Sequence, residues 1–240
     1  MRTLPEDGES IVPVGRVHKL ADCPARWCEN VHTMSSDHGA GQYGEAQLTK
    51  DDDMSAPPAL ARPESHLDPR YSEPAAAPAE WVDVQSALER AELYWLSTVR
   101  NSGQPHVTPL IGVWSSGAFW FCTGAHEQKA RNVAANPRAT AVTGVNSLRT
   151  GIDIAVEGSA QPVHDELQLR AIAAAYLAKY GQEWTFEVRD GHFEHPDGGR
   201  AVVYRLTPTT AYAYTKGTYS QTRFTFEADV RRQVSAVSDA

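Results

Sequence analysis

Apolar residues recur with a regular period only after about residue 80. Trp81, Val84, Leu88 and Ala91 fall at helical spacing, which predicts an amphipathic helix over Glu80 to Glu92. The period then shortens. Leu93 to Arg100 (LYWLSTVR) is a β-branched and aromatic run closed by the turn signal Asn101-Ser102-Gly103. Pro105 to Trp114 (PHVTPLIGVW) is a second predicted strand, and Ser115-Ser116-Gly117 turns it into a third, Ala118 to Thr123 (AFWFCT). A short helix follows over about His126 to Ala135, stopped by Asn136-Pro137. Strands are predicted at Ala139 to Val145 and Ile152 to Val163. A longer helix spans Asp165 to Lys179, with Leu167, Ile172, Tyr176 and Leu177 as its apolar face and Gly181 as its stop. A long strand over Ala201 to Tyr214 and an apolar segment over Ser220 to Phe226 close the pattern. Six or seven antiparallel strands with two or three helices make a mostly β (α+β) chain and suggest a small barrel.

Strands two and three carry apolar residues on both faces: Val107, Ile111 and Val113 against Leu110 and Trp114, and Phe119 and Phe121 against Trp120 and Cys122. A one-sided antiparallel sheet alternates with polar residues, so both faces are expected to be covered. One covers the barrel interior. The other needs a helix of the same chain, a ligand or a second subunit.

The chain before Trp81 is of another kind. Asp51-Asp52-Asp53 is a charge run, and prolines stand at 57, 58, 63, 69, 74 and 78. Such a segment has little apolar surface to bury and cannot donate a regular ladder. Residues 1–80 are therefore expected to be a disordered or extended arm, 81–226 the folded domain and 227–240 a loose tail. Met54 precedes the Ala/Pro-rich stretch, which raises the hypothesis that it is the biological start and that residues 1–53 lie upstream of it. Peptides from residues 1–53 in the native protein's mass spectrum sink that hypothesis.

Bulk properties narrow the field without naming a function. The chain has 240 residues and a formal net charge of -8, which argues against a nucleic-acid surface but leaves room for a small basic pocket. No apolar run reaches the length of a membrane span, and no secretory signal is visible. Three cysteines, Cys23, Cys28 and Cys122, suggest no disulfide framework. The expectation is a reducing cytoplasm. Cys23, Cys28, His32 and His38 invite a zinc site, but their spacing fits no trusted pattern and no metal is expected.

Three segments remain as candidates for chemistry. Thr123-Gly124-Ala125-His126-Glu127-Gln128-Lys129-Ala130-Arg131-Asn132 leaves a strand through Gly and enters a helix. Backbone N–H groups at a helix start, the Thr123 hydroxyl and the cations Lys129 and Arg131 make an anion pocket. Helical spacing puts Lys129 and Asn132 on one side and Arg131 elsewhere. The bland alternative is a surface helix with solvated cations. The second segment is His106-Val107-Thr108-Pro109-Leu110, where a proline removes a ladder donor; it either lets a flat ring lie on the backbone or marks a strand edge. The third is Lys216 to Phe224, where Gln221 and Arg223 alternate onto one face. They either bind a heterocycle or phosphate or stay solvated on an edge strand. Cys122, inside an apolar strand, is expected to be an inert thiol. No nucleophile elbow, Walker loop or Rossmann fingerprint is present.

In this order, WLSTVRNSGQPHVTPLIGVW, FWFCTG, EQKARNVAANPRATAVTG, IDIAVEGSA, WTFEVRDGHF and KGTYSQTRFTF resemble the pyridoxamine 5′-phosphate oxidase-like split-barrel superfamily. The likeness covers about Leu67 to Phe226 and looks closest to the branch that uses the deazaflavin F420. The resemblance implies a homodimer of six-stranded antiparallel split β-barrels with flanking helices and cofactor sites at the interface. It implies an oxidoreductase that transfers a hydride between F420 and a small organic substrate. FMN in the same fold, or a non-catalytic binding module, are the alternatives. By the same resemblance, the strand His106, Val107, Thr108, Pro109, Leu110 and Ile111 lines the cofactor ring. Cys122, Thr123, Gln128 and Lys129 match the phosphate segment, with Arg131 and Asn132 close by. Gln221 and Arg223 match a C-terminal segment that in some members reaches the cofactor, often across the dimer, and Trp184 and Phe186 wall the substrate side. The cofactor carries the redox chemistry in such proteins, so no catalytic side chain is assigned. The chain lacks the Arg-rich strand and C-terminal signature of the vitamin B6 oxidases proper, so that activity is not implied.

Overall fold

A computed structural model describes residues 62–196 and 198–226. The Met54 start, the Cys23, Cys28, His32 and His38 group and the tail 227–240 fall outside the described residues. Along the chain lie β1 (Glu64–Leu67), α1 (Trp81–Arg90), β2 (Tyr94–Val99), β3 (Pro105–Leu110), β4 (Val113–Ser115), β5 (Ala118–Thr123) and α2 (Gln128–Ala135). Then come β6 (Arg138–Thr143), β7 (Ile152–Val163), α3 (Glu166–Tyr180), β8 (Glu187–Arg189), β9 (His192–Glu194), β10 (Arg200–Thr215) and β11 (Ser220–Thr225).

Every strand pair is antiparallel. The main path runs β1-β11-β10-β7-β6-β2-β3, while β5 pairs with the first half of β10 and carries β4 at its far side. Neither β4 nor β5 pairs with β3, so the curved sheet does not close, and the architecture is a split barrel. The strand expected over Pro105 to Trp114 is two strands, because Gly112 leaves the ladder. Its N–H donates to the Tyr180 hydroxyl at 3.1 Å, and its carbonyl accepts from that hydroxyl at 2.8 Å and from Lys179 Nζ at 3.0 Å. A Cβ at Gly112 would stand 2.5 Å from the Phe119 ring, so the close approach requires glycine.

The register fixes two faces. Thr108, Leu96, Ala141, Val156, Ala211 and Phe224 form one transverse row across β3, β2, β6, β7, β10 and β11. All but Thr108 are buried, and they meet Val84 and Leu88 of α1 in the core. The second face of β5 is covered from within the chain: Tyr176 of α3 donates to the Trp120 carbonyl at 3.3 Å. Of the three covers open to sequence, the chain's own helix is the one found for β5. On β2 and β3 the outer face stays bare, with Trp95 45 % and Val107 55 % exposed.

Hydrogen-bonded structure begins upstream of Trp81. β1 pairs with β11, Asp68 N–H donates to the Gln221 carbonyl at 2.9 Å, and Ala79 N–H donates to Thr222 Oγ1 at 2.9 Å. The segment carries its prolines because it lies along an edge, where missing donors cost no ladder bond. The β8–β9 hairpin packs under α3. Among the described residues no helix is long and apolar enough to cross a membrane.

Candidate functional site

Between Thr123, the last residue of β5, and Gln128, the first of α2, the chain turns through Gly124. Glu127 holds the N-cap position with extended backbone, φ -70° and ψ 154°. Its side chain folds back over the turn. Oε1 accepts from the Gly124 N–H at 2.9 Å, and Oε2 accepts from Lys129 Nζ. The Thr123 hydroxyl, 2 % exposed, lies beside this carboxylate without completing a hydrogen bond of normal geometry. Burial pushes the Glu127 carboxyl up, but Lys129, the Gly124 N–H and Thr123 together outweigh it and hold it below its ordinary value. The result is a seat for an anion, and the chain's own carboxylate sits in it.

A relay of amides and hydroxyls joins this seat to β3. Gln128 Nε2 donates to Asn132 Oδ1 at 2.7 Å, and Asn132 Nδ2 donates to Thr98 Oγ1 at 2.9 Å. Thr98 stands opposite His106 in the β2–β3 ladder, and its hydroxyl lies 3.4 Å from the His106 carbonyl. Burial, then Arg100 and Lys129 as like charges, hold His106 below its ordinary value. The structure thus brings His106 within electrostatic reach of Lys129, 23 residues later. Asn132 turns inward and Lys129 turns back to Glu127, so the two do not act on one group. Arg131 is exposed and reaches only Gln128, at 3.4 Å.

The remaining candidates are dispersed by the pleat. His106, Thr108 and Leu110 face the interior, Val107 and Pro109 face outward, and Ile111 lies beyond the strand with its carbonyl accepting from Tyr176. Burial pushes the Cys122 thiol up to about 12, and it sits under α3 beside Tyr176. Phe186 is buried in a satellite cluster, stacked on Phe193 at 4.7 Å and edge-on to Tyr176 at 5.4 Å. Trp184 ends a 3-10 turn at Gln182–Trp184. Both flank α3 rather than the β3 strand. Gln221 and Arg223 lie on the outer face of β11. His66, Arg223, Tyr212, Ala155, Val142, Trp95 and Pro109 form one row across seven strands. Five inter-strand steps separate Arg223 from Pro109, about 24 Å measured along the curved sheet.

Glu127, Thr98 and Arg100 are the site residues that sequence alone misses. Glu127 carried a signal, a carboxylate at a helix start next to a lysine, but nothing local says that it bends back onto Gly124. Thr98 and Arg100 reach the site only through the β2–β3 register.

A split antiparallel barrel with an anion seat between a strand end and a short helix defines a protein of the split-barrel class. The chain belongs to the pyridoxamine 5′-phosphate oxidase family, whose model matches residues 82–215. No curated protein matches it. General Stress Protein 26 of Bacillus anthracis is 19% identical, over 55% of this chain and 91% of that one, with a TM-score of 0.43. A FAD-binding protein of Mesorhizobium loti is 17% identical, over 61% and 95%, with a TM-score of 0.44. A heme binding protein of Mycobacterium smegmatis is 18% identical, over 62% and 59%, with a TM-score of 0.48. Likenesses of this size carry no argument about activity.

Proposed function

We propose that the chain is an oxidoreductase that holds a phosphate-bearing redox ring, F420 in the first place and FMN as the alternative, and moves a hydride between it and a small organic substrate. The observation that supports this is the seat at Thr123 to Lys129. A backbone N–H, an ammonium and a buried hydroxyl without a hydrogen bond converge on one carboxylate, and that donor set also suits a phosphate oxygen. The cofactor supplies the redox chemistry when bound. The protein's task is to anchor, orient and exclude water.

In this proposal Gly124, Thr123 and Lys129 hold the phosphate and Gln128, fixed by Asn132, borders it. The β3 segment from His106 offers its edge to the ring, with Pro109 leaving a ladder donor absent. His106, kept below its ordinary value, is neutral near pH 7 and leaves Lys129 as the cation of the seat. Gln221 and Arg223 lie on β11, five strands along the sheet from β3 of the same chain. We therefore propose a homodimer through the bare outer face around Trp95 and Val107, in which the partner supplies that C-terminal segment.

A titration of the purified protein with F420 and FMN side by side tests the proposal. Quenching of deazaflavin fluorescence with micromolar affinity is expected, followed by turnover of an enone or quinone panel by the reduced cofactor. Binding of neither ligand removes the proposal. Binding without any turnover reduces it to a carrier.

A further inference from the structure

The seat that suits a phosphate is already filled. Its Gly124 N–H and its one contacting cation, Lys129, both go to Glu127, and the Thr123 hydroxyl lies against the same carboxylate. The buried thiol of Cys122 on β5 lies within electrostatic reach of both partners, His106 on β3 within that of Lys129, and Arg131 on α2 reaches Gln128. We propose that Glu127 is a resident counter-anion that competes with incoming phosphate groups for the Gly124, Thr123 and Lys129 seat, and so sets how tightly this chain takes phosphate-bearing ligands. This rests on the cofactor-site proposal above and deepens it.

Charge count and space support the competition. One ammonium cannot balance both a carboxylate and a phosphate at contact distance in a half-buried site, where like charges are poorly screened. A single N–H makes one strong bond, so the phosphate gains it only as Glu127 gives it up. The exit is present: the Glu127 side chain keeps 33% of its surface in water, whereas Lys129 keeps 12%. The carboxylate thus swings outward while the lysine stays. Proton uptake does not release it near neutrality, because the carboxyl is held below its ordinary value and remains ionised. Thr123 is the independent sign that the seat is built for more than this pair. Its hydroxyl is buried and completes no normal hydrogen bond even with Glu127 in place, so a bulkier tetrahedral anion finds a waiting donor.

The experiment measures inorganic phosphate binding to the full chain by calorimetry for the wild type, Glu127→Gln, Glu127→Ala and the double variant Glu127→Gln, Lys129→Met. Circular dichroism and thermal melting check that each is folded, and Glu127→Ala stands in if the glutamine variant is not. The expected result is phosphate binding at least tenfold tighter in either single variant, lost again in the double variant. Equal or weaker binding in the folded single variants overturns the inference. FMN and riboflavin, which differ by the phosphate, are titrated in parallel. A gain for FMN and none for riboflavin supports the competition at the cofactor site. A gain for phosphate with no binding of F420 or FMN to any variant leaves the role of Glu127 standing and removes the cofactor proposal. Equal FMN affinity in wild type and variants, with no gain for phosphate, does the reverse.

Discussion

The Asn132 side-chain amide donates to the Thr98 hydroxyl at 2.9 Å, and this bond ties the helix that carries the anion seat to the second strand of the barrel. Both residues are almost fully buried, Asn132 at 2 % and Thr98 at 1 % exposure. Replacing Asn132 by Ala removes the donor to the Thr98 hydroxyl and the acceptor of the Gln128 side-chain N–H. The expected cost is about 2–3 kcal/mol, read from the urea midpoint. An unchanged midpoint removes the relay as a structural element.

Gly158 in β7 faces the Thr207 carbonyl beside the register shift at Pro208/Thr210. A Cβ there would stand 2.1 Å from that oxygen, and the obstacle is backbone. Gly158→Ala is expected to lower stability by at least about 2 kcal/mol, since the long strand has to move to admit it. A melting temperature within a degree of wild type contradicts the packing.

Burial lowers Lys179 to about 8, against the pull of Glu89 and Glu92. In the unfolded chain it returns to the ordinary lysine range. Between pH 8 and about 9 the unfolded state therefore holds the extra Lys179 proton, and stability is expected to rise with pH until the buried Cys122 thiol, held up to about 12, works the other way. Above that range the sign reverses. Burial raises Tyr94 well above its ordinary value and Tyr180 to about 12, so the unfolded tyrosines ionise first and stability falls. Urea titrations from pH 7 to 11 on wild type and Lys179→Met check this. The variant is expected to lose the rise and keep the fall.

Trp95 and Val107 expose 45 % and 55 % of their surface on the outer face of neighbouring strands. In the proposed dimer they are covered. Trp95→Glu with Val107→Lys is expected to shift the protein to monomer while costing the folded chain no more than about 1 kcal/mol, as for surface positions. Light scattering on a sizing column gives the mass, and a dimer that persists in the folded variant rules out this face.

Lys129→Ala removes the cation of the seat. It is expected to weaken F420 or FMN by ~1.5–3 kcal/mol, roughly ten- to a hundredfold in Kd. Unchanged affinity takes Lys129 out of the site.

Local pattern was enough for most of the elements. The helical spacing of Trp81, Val84 and Leu88, the aromatic run of Ala118 to Thr123 and the stop at Gly181 depend on near neighbours, and the structure keeps α1, β5 and α3 there. The strand end at Thr123 and the helix from Gln128 were likewise legible, because a glycine exit and a helix start are local signs. What sequence could not say depends on residues far apart in the chain. Gly112 breaks the second strand because Tyr180 and Lys179, 68 and 67 residues away, take its backbone groups. The segment from Arg62 is held by β11 at the opposite end of the domain. Register, rather than composition, sends Val107 outward and His106 inward and sets Arg223 five strands from Pro109. The Glu127 side chain turns onto its near neighbours Gly124 and Lys129, but the bond that ties this turn to the barrel, Asn132 to Thr98 across 34 residues, is decided only by the tertiary structure.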